Sequence, residues 1–243
     1  PLVDGQGNFG CFTADTKVKL TDDRDLSFAE LVDEHKQGKK NFTFTIDGKS
    51  LVKIAEIKNP RLTKKNAEIM KVILDNGEEI RCTLNHNFML KDGSYKEAQD
   101  LIVGQSLMPT YFRISTKADD PNVSGYSMIF QSKSQLWDFV HILADEWNVK
   151  NGNYTQSAGR IRHHIDFNKL NNNPDNIRRI GWKEHWQIHY ELTSQKHRTD
   201  TEYVKKLAQG RKDYWSNPEN RKKHSEILSL RNKNNWKKQS YRS

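Results

Sequence analysis

Residues 163–189 read HHIDFNKLNNNPDNIRRIGWKEHWQIH. His163 and His164 are adjacent, so in an extended segment their side chains point to opposite sides. One of them can therefore face a metal ion while its neighbour faces a substrate water. His185 and His189 are four residues apart, which places both on one face of a helix. The segment predicts three metal ligands and a general base, and hence a chain that cuts phosphodiester bonds.

The middle of this segment predicts a loop, because residues 172–176 (NNPDN) are a strong turn cluster between two apolar stretches. A strand ending in a histidine pair, a loop, and a helix with the last histidine resemble the motif of the HNH (ββα-metal) nuclease family. That resemblance implies that His163 and His185 bind the metal and that His164 is the general base. It implies that Asn176 ties the loop and orients the base. His189 would be a third ligand or a phosphate contact.

The resemblance also implies a mechanism. Neutral His164 takes a proton from water, as an imidazole with a pKa near neutrality can, while the metal stabilises the phosphate and the leaving 3′ oxygen. The expected cofactor is one divalent metal ion, Mg²⁺, with Mn²⁺, Zn²⁺ or Ni²⁺ as alternatives. The other interpretation is a set of surface histidines in an asparagine-rich loop. The spacing of the set and its basic surroundings favour the nuclease.

Charge is unevenly distributed along the 243 residues. Residues 1–110 hold 16 Lys and Arg against 17 Asp and Glu, whereas residues 194–243 hold 14 against 5. A basic second half predicts contact with a polyanion, here double-stranded DNA. The sequence has no apolar run near the roughly 18 residues of a membrane span and no secretory start. With only Cys11 and Cys82, it predicts a reducing compartment, the cytoplasm of a bacterial or phage-infected cell.

Residues 12–110 predict a mostly-β module. The run FTFTI at residues 42–46 alternates with period two, and Asp75-Asn76-Gly77 and Asp92-Gly93 are tight-hairpin signals between apolar runs. A helix is predicted to begin after Ser27, with Glu30 completing a capping box.

Two blocks in this module resemble the splicing motifs of inteins and related Hint domains: CFTADTKV at residues 11–18 and TLNH at residues 83–86. The preceding ten residues, PLVDGQGNFG, resemble a segment of the A subunit of DNA gyrase and topoisomerase IV. An interrupted host protein is expected to have such a sequence just before an intein.

The intein resemblance implies that Cys11 attacks the carbonyl of Gly10 and converts that peptide bond into a thioester. His86 would polarise or protonate the scissile nitrogen, and Thr83 would bind the carbonyl oxygen or the oxyanion. Gly10 suits the position because glycine tolerates backbone strain. Cys82 is predicted to be a core residue. The alternative makes Cys11 a buried small residue and the other two ordinary polar strand residues.

The chain departs from the intein pattern at its end. A complete intein ends in His-Asn followed by Cys, Ser or Thr, whereas residues 239–243 read QSYRS. We therefore expect either a fragment of a longer product or the N-terminal half of a split intein. In both cases a C-terminal intein segment is the implied partner, in cis or in trans.

Polar residues 111–125 predict a linker, and residues 134–149 predict an amphipathic helix. In the tail, Leu207, Lys212 and Trp215 recur 21 residues later as Leu228, Lys233 and Trp236, and Asn217-Pro218-Glu219 marks a helix start. Such helices resemble the DNA-binding tails of phage HNH homing endonucleases, although a solvated, partly disordered tail is the alternative. The predicted DNA contacts are Arg160, Arg162, Lys212, Trp215, Lys233 and Trp236.

The predicted fold is therefore multidomain: a mostly-β Hint domain, an α+β ββα-metal nuclease domain and a basic helical tail. The predicted segments are 1–10 (host remnant), 11–110 (splicing domain), 111–125 (linker), 126–193 (nuclease) and 194–243 (tail). The predicted function is a splicing element that carries a homing endonuclease against intein-free host genes. The alternative is a DNA-binding or autoprocessing protein whose nuclease is inactive.

Overall fold

A computed structural model describes residues 10–119 and 123–237. The expected host-like segment at residues 1–9 and the chain end at 239–243 lie outside the described residues. The strands are β1 Lys17–Lys19, β2 Asp25–Ser27, β3 Phe42–Ile46, β4 Val52–Glu56, β5 Ile69–Ile73, β6 Glu79–Thr83, β7 Asn87–Met89, β8 Tyr95–Glu97, β9 Phe112–Ile114, β10 Ser127–Gln131, β11 Leu136–Phe139, β12 Ile161–His164 and β13 Ile177–Ile180. The helices are α1 Phe28–Lys36, α2 Val140–Lys150, α3 Trp182–Thr199, α4 Thr201–Ser216 and α5 Pro218–Trp236.

The strands form small antiparallel sheets, which confirms the mostly-β prediction for the first part of the chain. Five sheets are two-stranded hairpins, and β11, β10 and β9 form a three-stranded sheet in that order. Local turn chemistry sets the hairpins: Asn76 Oδ1 accepts from the Glu78 amide at 3.0 Å, and Gly77 has a φ of +85°. Register then follows, with Val72 opposite Ile80 in the β5–β6 pair.

Helix α1 begins as the sequence predicts. The Ser27 side chain accepts from the Glu30 amide, and the Glu30 carboxylate accepts from the Ser27 amide, which completes the capping box. Leu31 on this helix is fully buried. The cap and the buried face together fix where the helix starts and which side packs inward.

The described residues divide into two compact units, the first ending at Trp182 and the second beginning at Lys183. The first unit contains all the strands and two apolar cores. One core lies beside the splicing motifs and comprises Cys82, Phe88 and Ala98. The other joins hairpin β3–β4 to helix α2 and comprises Phe42, Val52, Ile54, Ile129, Val140, Leu143, Ala144 and Ile177. The second core thus contains side chains from both the predicted splicing segment and the predicted nuclease segment.

Two stretches differ from the sequence-based expectation. Residues 136–139 are strand β11, so the helix predicted from residue 134 begins only at Val140. Gln135, at a φ of +57°, makes a turn that returns the chain along β10, and pairing with β10 overrides the helical spacing. Strand β9 lies inside the stretch predicted as a linker and pairs with the other edge of β10.

The second unit consists of α3 from Lys183 onward, α4 and α5. Asp200 caps α4 by accepting from the Tyr203 amide, and Asn217 caps α5 by accepting from the Glu219 amide. The helix start predicted at Asn217-Pro218 is confirmed. Neither α4 nor α5 has a buried residue among those described. Among the described residues, none of the helices combines the length and apolar character that a membrane span requires.

Candidate functional site

Cys11 and Thr83 are joined by two hydrogen bonds. The Cys11 amide donates to Thr83 Oγ1 at 2.9 Å, and the Thr83 amide donates to the Cys11 carbonyl at 2.8 Å. The Thr83 hydroxyl donates in turn to Asn85 Oδ1 at 2.8 Å, so its oxygen is left to accept from Cys11. Thr83 therefore contacts the nitrogen of the Gly10–Cys11 bond. Its predicted role, binding of the carbonyl oxygen or the oxyanion, stays a prediction.

His86 lies against the Gly10–Cys11 bond and is enclosed by aromatic rings. Its ring centroid is 3.9 Å from that of Phe12 and 5.3 Å from that of Phe88. Burial lowers the pKa of His86, and a hydrogen bond with the Gly10 backbone opposes that shift. Its Nδ1 is buried without a partner among the described residues. The imidazole is therefore neutral at pH 7 and able to accept a proton.

Gly10 has little room for a side chain. A Cβ at this position would overlap the backbone of His86 and lie 2.9 Å from His86 Cβ. Close approach of two backbones, rather than backbone strain, thus explains the glycine. The tight packing holds Gly10 against the backbone of His86.

Two polar contacts at this site were missed by sequence reasoning. The Thr63 hydroxyl lies 3.0 Å from Cys11 Sγ. Thr63 belongs to the loop between β4 and β5. Asn85 holds the Thr83 hydroxyl, as described above. Thr63 is 52 residues from Cys11 in sequence and had no local signal, whereas Asn85 lies within the TLNH block. Cys82 is fully buried, as predicted, and burial raises the pKa of its thiol.

The predicted nuclease histidines lie at the end of β12, which pairs with β13. His163 is opposite Arg178 and His164 is opposite Ile177, and both histidines are buried. Their rings have different neighbours, as alternation along a strand predicts: Phe167 is 5.2 Å from His163, and Tyr126 is 5.8 Å from His164.

The predicted base, His164, is held by an asparagine other than the one expected. His164 Nε2 lies 3.1 Å from Asn172 Oδ1. Burial lowers the pKa of His164, and the bond to Asn172 opposes the shift. The ring is thus a neutral imidazole with one nitrogen fixed.

Asn176 ties the loop that follows His164, as expected. Its side-chain amide donates to Asp166 Oδ1 and to the Asn171 carbonyl, each at 2.8 Å, and its Oδ1 accepts from the Asp166 amide at 3.1 Å. The Ile165 amide donates to the Asn176 carbonyl at 2.9 Å. Asn176 therefore braces the loop backbone, and Asn172 contacts the histidine ring directly.

In the second unit, His185 and His189 share one face of α3 as predicted, with ring centroids 4.5 Å apart. His185 is half-buried and His189 is exposed. Partial burial lowers the pKa of His185, and the neighbouring charge of His189 adds to that shift. A lowered pKa keeps an imidazole available as a metal ligand.

The predicted DNA contacts differ in their surroundings. Arg160 is exposed, but Arg162 donates to the buried carboxylate of Asp145 at 3.1 Å. Arg179 contacts the same carboxylate with two bonds of 2.6 Å. Arg162 thus has a structural partner. The exposed candidates on the two tail helices are Lys212 and Trp215 on α4 and Lys233 and Trp236 on α5.

Comparisons with known proteins identify the family of the chain. The model of the intein splicing domain family matches residues 18–239. The chain is 41% identical over 251 residues to the B subunit of DNA gyrase from Synechocystis sp., a match that covers 99% of this chain and 23% of that protein. The chain thus spans about a quarter of the length of this relative. Because the match is to the B subunit, the A subunit expected from residues 1–10 finds no support here.

Weaker similarities include a second curated protein and solved intein structures. The replication factor C small subunit of Methanocaldococcus jannaschii is 24% identical over 124 residues, which is 50% of this chain and 6% of that protein. Among solved structures, a DnaB intein from Synechocystis sp. PCC 6803 is 18% identical and has a TM-score of 0.34, with 54% of this chain and 79% of that chain covered.

Proposed function

This chain belongs to the intein splicing domain family, and on that premise we propose that it starts splicing at the Gly10–Cys11 bond and also carries an HNH homing endonuclease. The flanking host segments are joined when the element is removed, and the match to a gyrase protein makes a gyrase the proposed host. A gyrase host and two free cysteines favour the bacterial or phage-infected cytoplasm.

The proposed first step is an N–S acyl shift. Cys11 Sγ attacks the Gly10 carbonyl carbon, a C–S bond forms, and the C–N bond to Cys11 breaks. The thiol loses one proton and the released Cys11 amine gains one, which neutral His86 can carry. The observation that supports this step most strongly is the Cys11–Thr83 pair, because the Thr83 hydroxyl holds the nitrogen of the proposed scissile bond.

A thiol-cleavage assay tests this step on a precursor in which host segments flank the chain. Dithiothreitol should release the segment ending at Gly10, and Cys11→Ala should abolish the release. The matched control is Cys82→Ala, which removes the other thiol, a buried side chain of the neighbouring core, and should preserve release in the folded protein. Equal release by Cys11→Ala would sink the proposal.

The proposed nuclease uses histidines of β12 and α3. The resemblance to the HNH family makes His163 and His185 the proposed metal ligands, with His189 as a third. Three imidazole nitrogens suit Zn²⁺ or Ni²⁺ better than the Mg²⁺ favoured from sequence, because Mg²⁺, like Mn²⁺, prefers oxygen ligands. When bound, the ion would supply Lewis-acid stabilisation of the phosphate. His164 would take the proton from the attacking water.

A plasmid with an uninterrupted gene for the gyrase B protein tests the nuclease with each divalent ion in turn. We expect cleavage that is lost in His164→Ala and retained in His35→Ala, which replaces an exposed histidine of α1. Absence of cleavage with every ion would favour the alternative, a splicing protein whose nuclease is inactive.

The tail helices are proposed to contact DNA phosphates through Lys212 and Lys233, with Trp215 and Trp236 packing against the backbone. These four side chains are exposed and lie at equivalent positions of the 21-residue sequence repeat. Each lost phosphate contact should lower the salt dependence of binding by roughly one counterion. Lys212→Ala and Lys233→Ala, measured by fluorescence anisotropy from low to high salt, test this. If the variant with both substitutions has the same salt dependence of binding as the wild type, the tail helices do not contact the DNA phosphates through these lysines.

A further inference from the structure

We infer that Asn172 is the positioning residue for the His164 base and that it is anchored on the splicing part of the fold through Thr21. This inference rests on the proposed nuclease function and deepens it. It concerns residues of the first unit only.

Three hydrogen bonds fix the orientation of Asn172. Its backbone amide donates to the Thr21 carbonyl at 2.9 Å, and its side-chain Nδ2 donates to the Leu170 carbonyl at 3.0 Å. Its Oδ1 lies 3.1 Å from His164 Nε2. Because Nδ2 is committed to a carbonyl, Oδ1 is the atom that faces the imidazole. Asn172 is 1% exposed, so water does not compete for these bonds.

Thr21 is itself held by the core of the splicing part. Its amide donates to the Phe42 carbonyl at 3.0 Å, and the preceding Leu20 forms a bridge with Thr43 of β3. Phe42 is buried in the same core as Val140. Gln131 adds a second connection, because its side-chain amide makes two buried hydrogen bonds with the backbone of Val52, at 2.8 and 3.1 Å.

The orientation of Asn172 selects the tautomer of the proposed base. Oδ1 can only accept, so His164 Nε2 must carry the hydrogen and Nδ1 is the basic nitrogen. Asn176 makes no equivalent selection, because its side chain contacts Asp166 and Asn171. Asn176 therefore stabilises the loop backbone, and Asn172 orients the His164 ring.

The test combines a spectroscopic signature with kinetics on the full chain. Nitrogen-15 shifts of His164, assigned with His164→Gln, should report the Nε2–H tautomer in the wild type and a mixture in Asn172→Ala. The kcat of DNA cleavage should fall about tenfold or more in Asn172→Ala, as part of the roughly 100- to 10,000-fold that a general base contributes, with KM little changed. Asn151→Ala, which replaces an exposed asparagine after α2, is the matched control and should alter neither readout.

Each outcome decides the inference. Unchanged His164 shifts in Asn172→Ala would overturn it, whatever the activity. Should that variant fail to fold, Asn172→Asp retains an acceptor oxygen and should keep the Nε2–H tautomer, and loss of that tautomer would overturn the inference. If the wild type does not cleave DNA, the proposed nuclease function fails, while the tautomer measurement still tests the role of Asn172.

Discussion

The Cys11 amide donates to Thr83 Oγ1 at 2.9 Å, while the Thr83 amide donates to the Cys11 carbonyl at 2.8 Å. Thr83 thus hydrogen-bonds both the backbone amide and the backbone carbonyl of Cys11, the proposed nucleophile. The Thr83 side chain contacts the nitrogen of the proposed scissile bond, whereas its backbone amide contacts the carbonyl of the next peptide. The two contributions can be separated, because a side-chain substitution removes only the first.

Thr83→Val should slow thioester formation while leaving the Cys11 backbone in place. Valine has nearly the shape of threonine but cannot accept from the scissile amide. We expect a loss of about a hundred- to a thousandfold, the range for removing one well-placed hydrogen-bonding group from an acyl-transfer site. The rate of dithiothreitol-induced cleavage measures it. Thr83→Ser keeps the hydroxyl and should cleave near the wild-type rate, and equal losses in both variants would contradict this role.

Gly10→Ala should impair cleavage for a steric reason. The added methyl group would overlap the His86 backbone, so either the scissile carbonyl or the histidine must move. A displacement of about 1 Å at a reacting centre can cost roughly a hundredfold in rate. The matched control is Gly48→Ala, because a Cβ there meets no atom within 4 Å. If the two variants cleave equally fast in the same assay, the close approach has no role in catalysis.

Thr63→Val tests the contact between the Thr63 hydroxyl and Cys11 Sγ, which are 3.0 Å apart. If the hydroxyl holds the thiol near the Gly10 carbonyl, its loss should slow thioester formation several-fold. The segment is exposed, so the free energy of unfolding should change by less than about 0.5 kcal/mol. The cleavage rate checks the predicted loss of activity, and urea unfolding of the same preparation checks that the free energy of unfolding is nearly unchanged. Thr116→Val, at another exposed threonine, is the control.

Local chemistry explains which features could be predicted from sequence. The Asn76-Gly77 turn and the Ser27 cap depend on residues a few positions apart, and both form as predicted. Thr63 and Asn172 act over separations that no local pattern encodes. Asn172 is one of three consecutive asparagines, and its contacts with the Thr21 carbonyl and the His164 ring distinguish it. Cross-strand pairing with β10 likewise replaced the first turn of the helix predicted from residue 134.

His141 should make the first unit less stable in mild acid. Burial lowers its pKa to about 4 from the usual 6.5, and the charges of His164 and Arg162 add to the shift. Between these two values the unfolded chain binds a proton that the folded chain does not, so the free energy of unfolding falls as the pH drops from 6.5 towards 4. The upper limit for this group is about 3 kcal/mol, at about 1.36 kcal/mol for each pKa unit.

His141→Phe should remove that part of the pH dependence. Phenylalanine fits among the rings of Tyr126 and Phe139, whose centroids lie 5.1 and 5.4 Å from that of His141. His86 and His164 also have lowered pKa values, so the variant should retain a smaller acid loss. Urea unfolding at pH 7 and pH 4.5 gives the loss in free energy of unfolding on acidification for each variant. His35→Ala, at an exposed histidine, is the control. An acid loss in His141→Phe equal to that of the wild type would show that the buried His141 ring does not carry this titration.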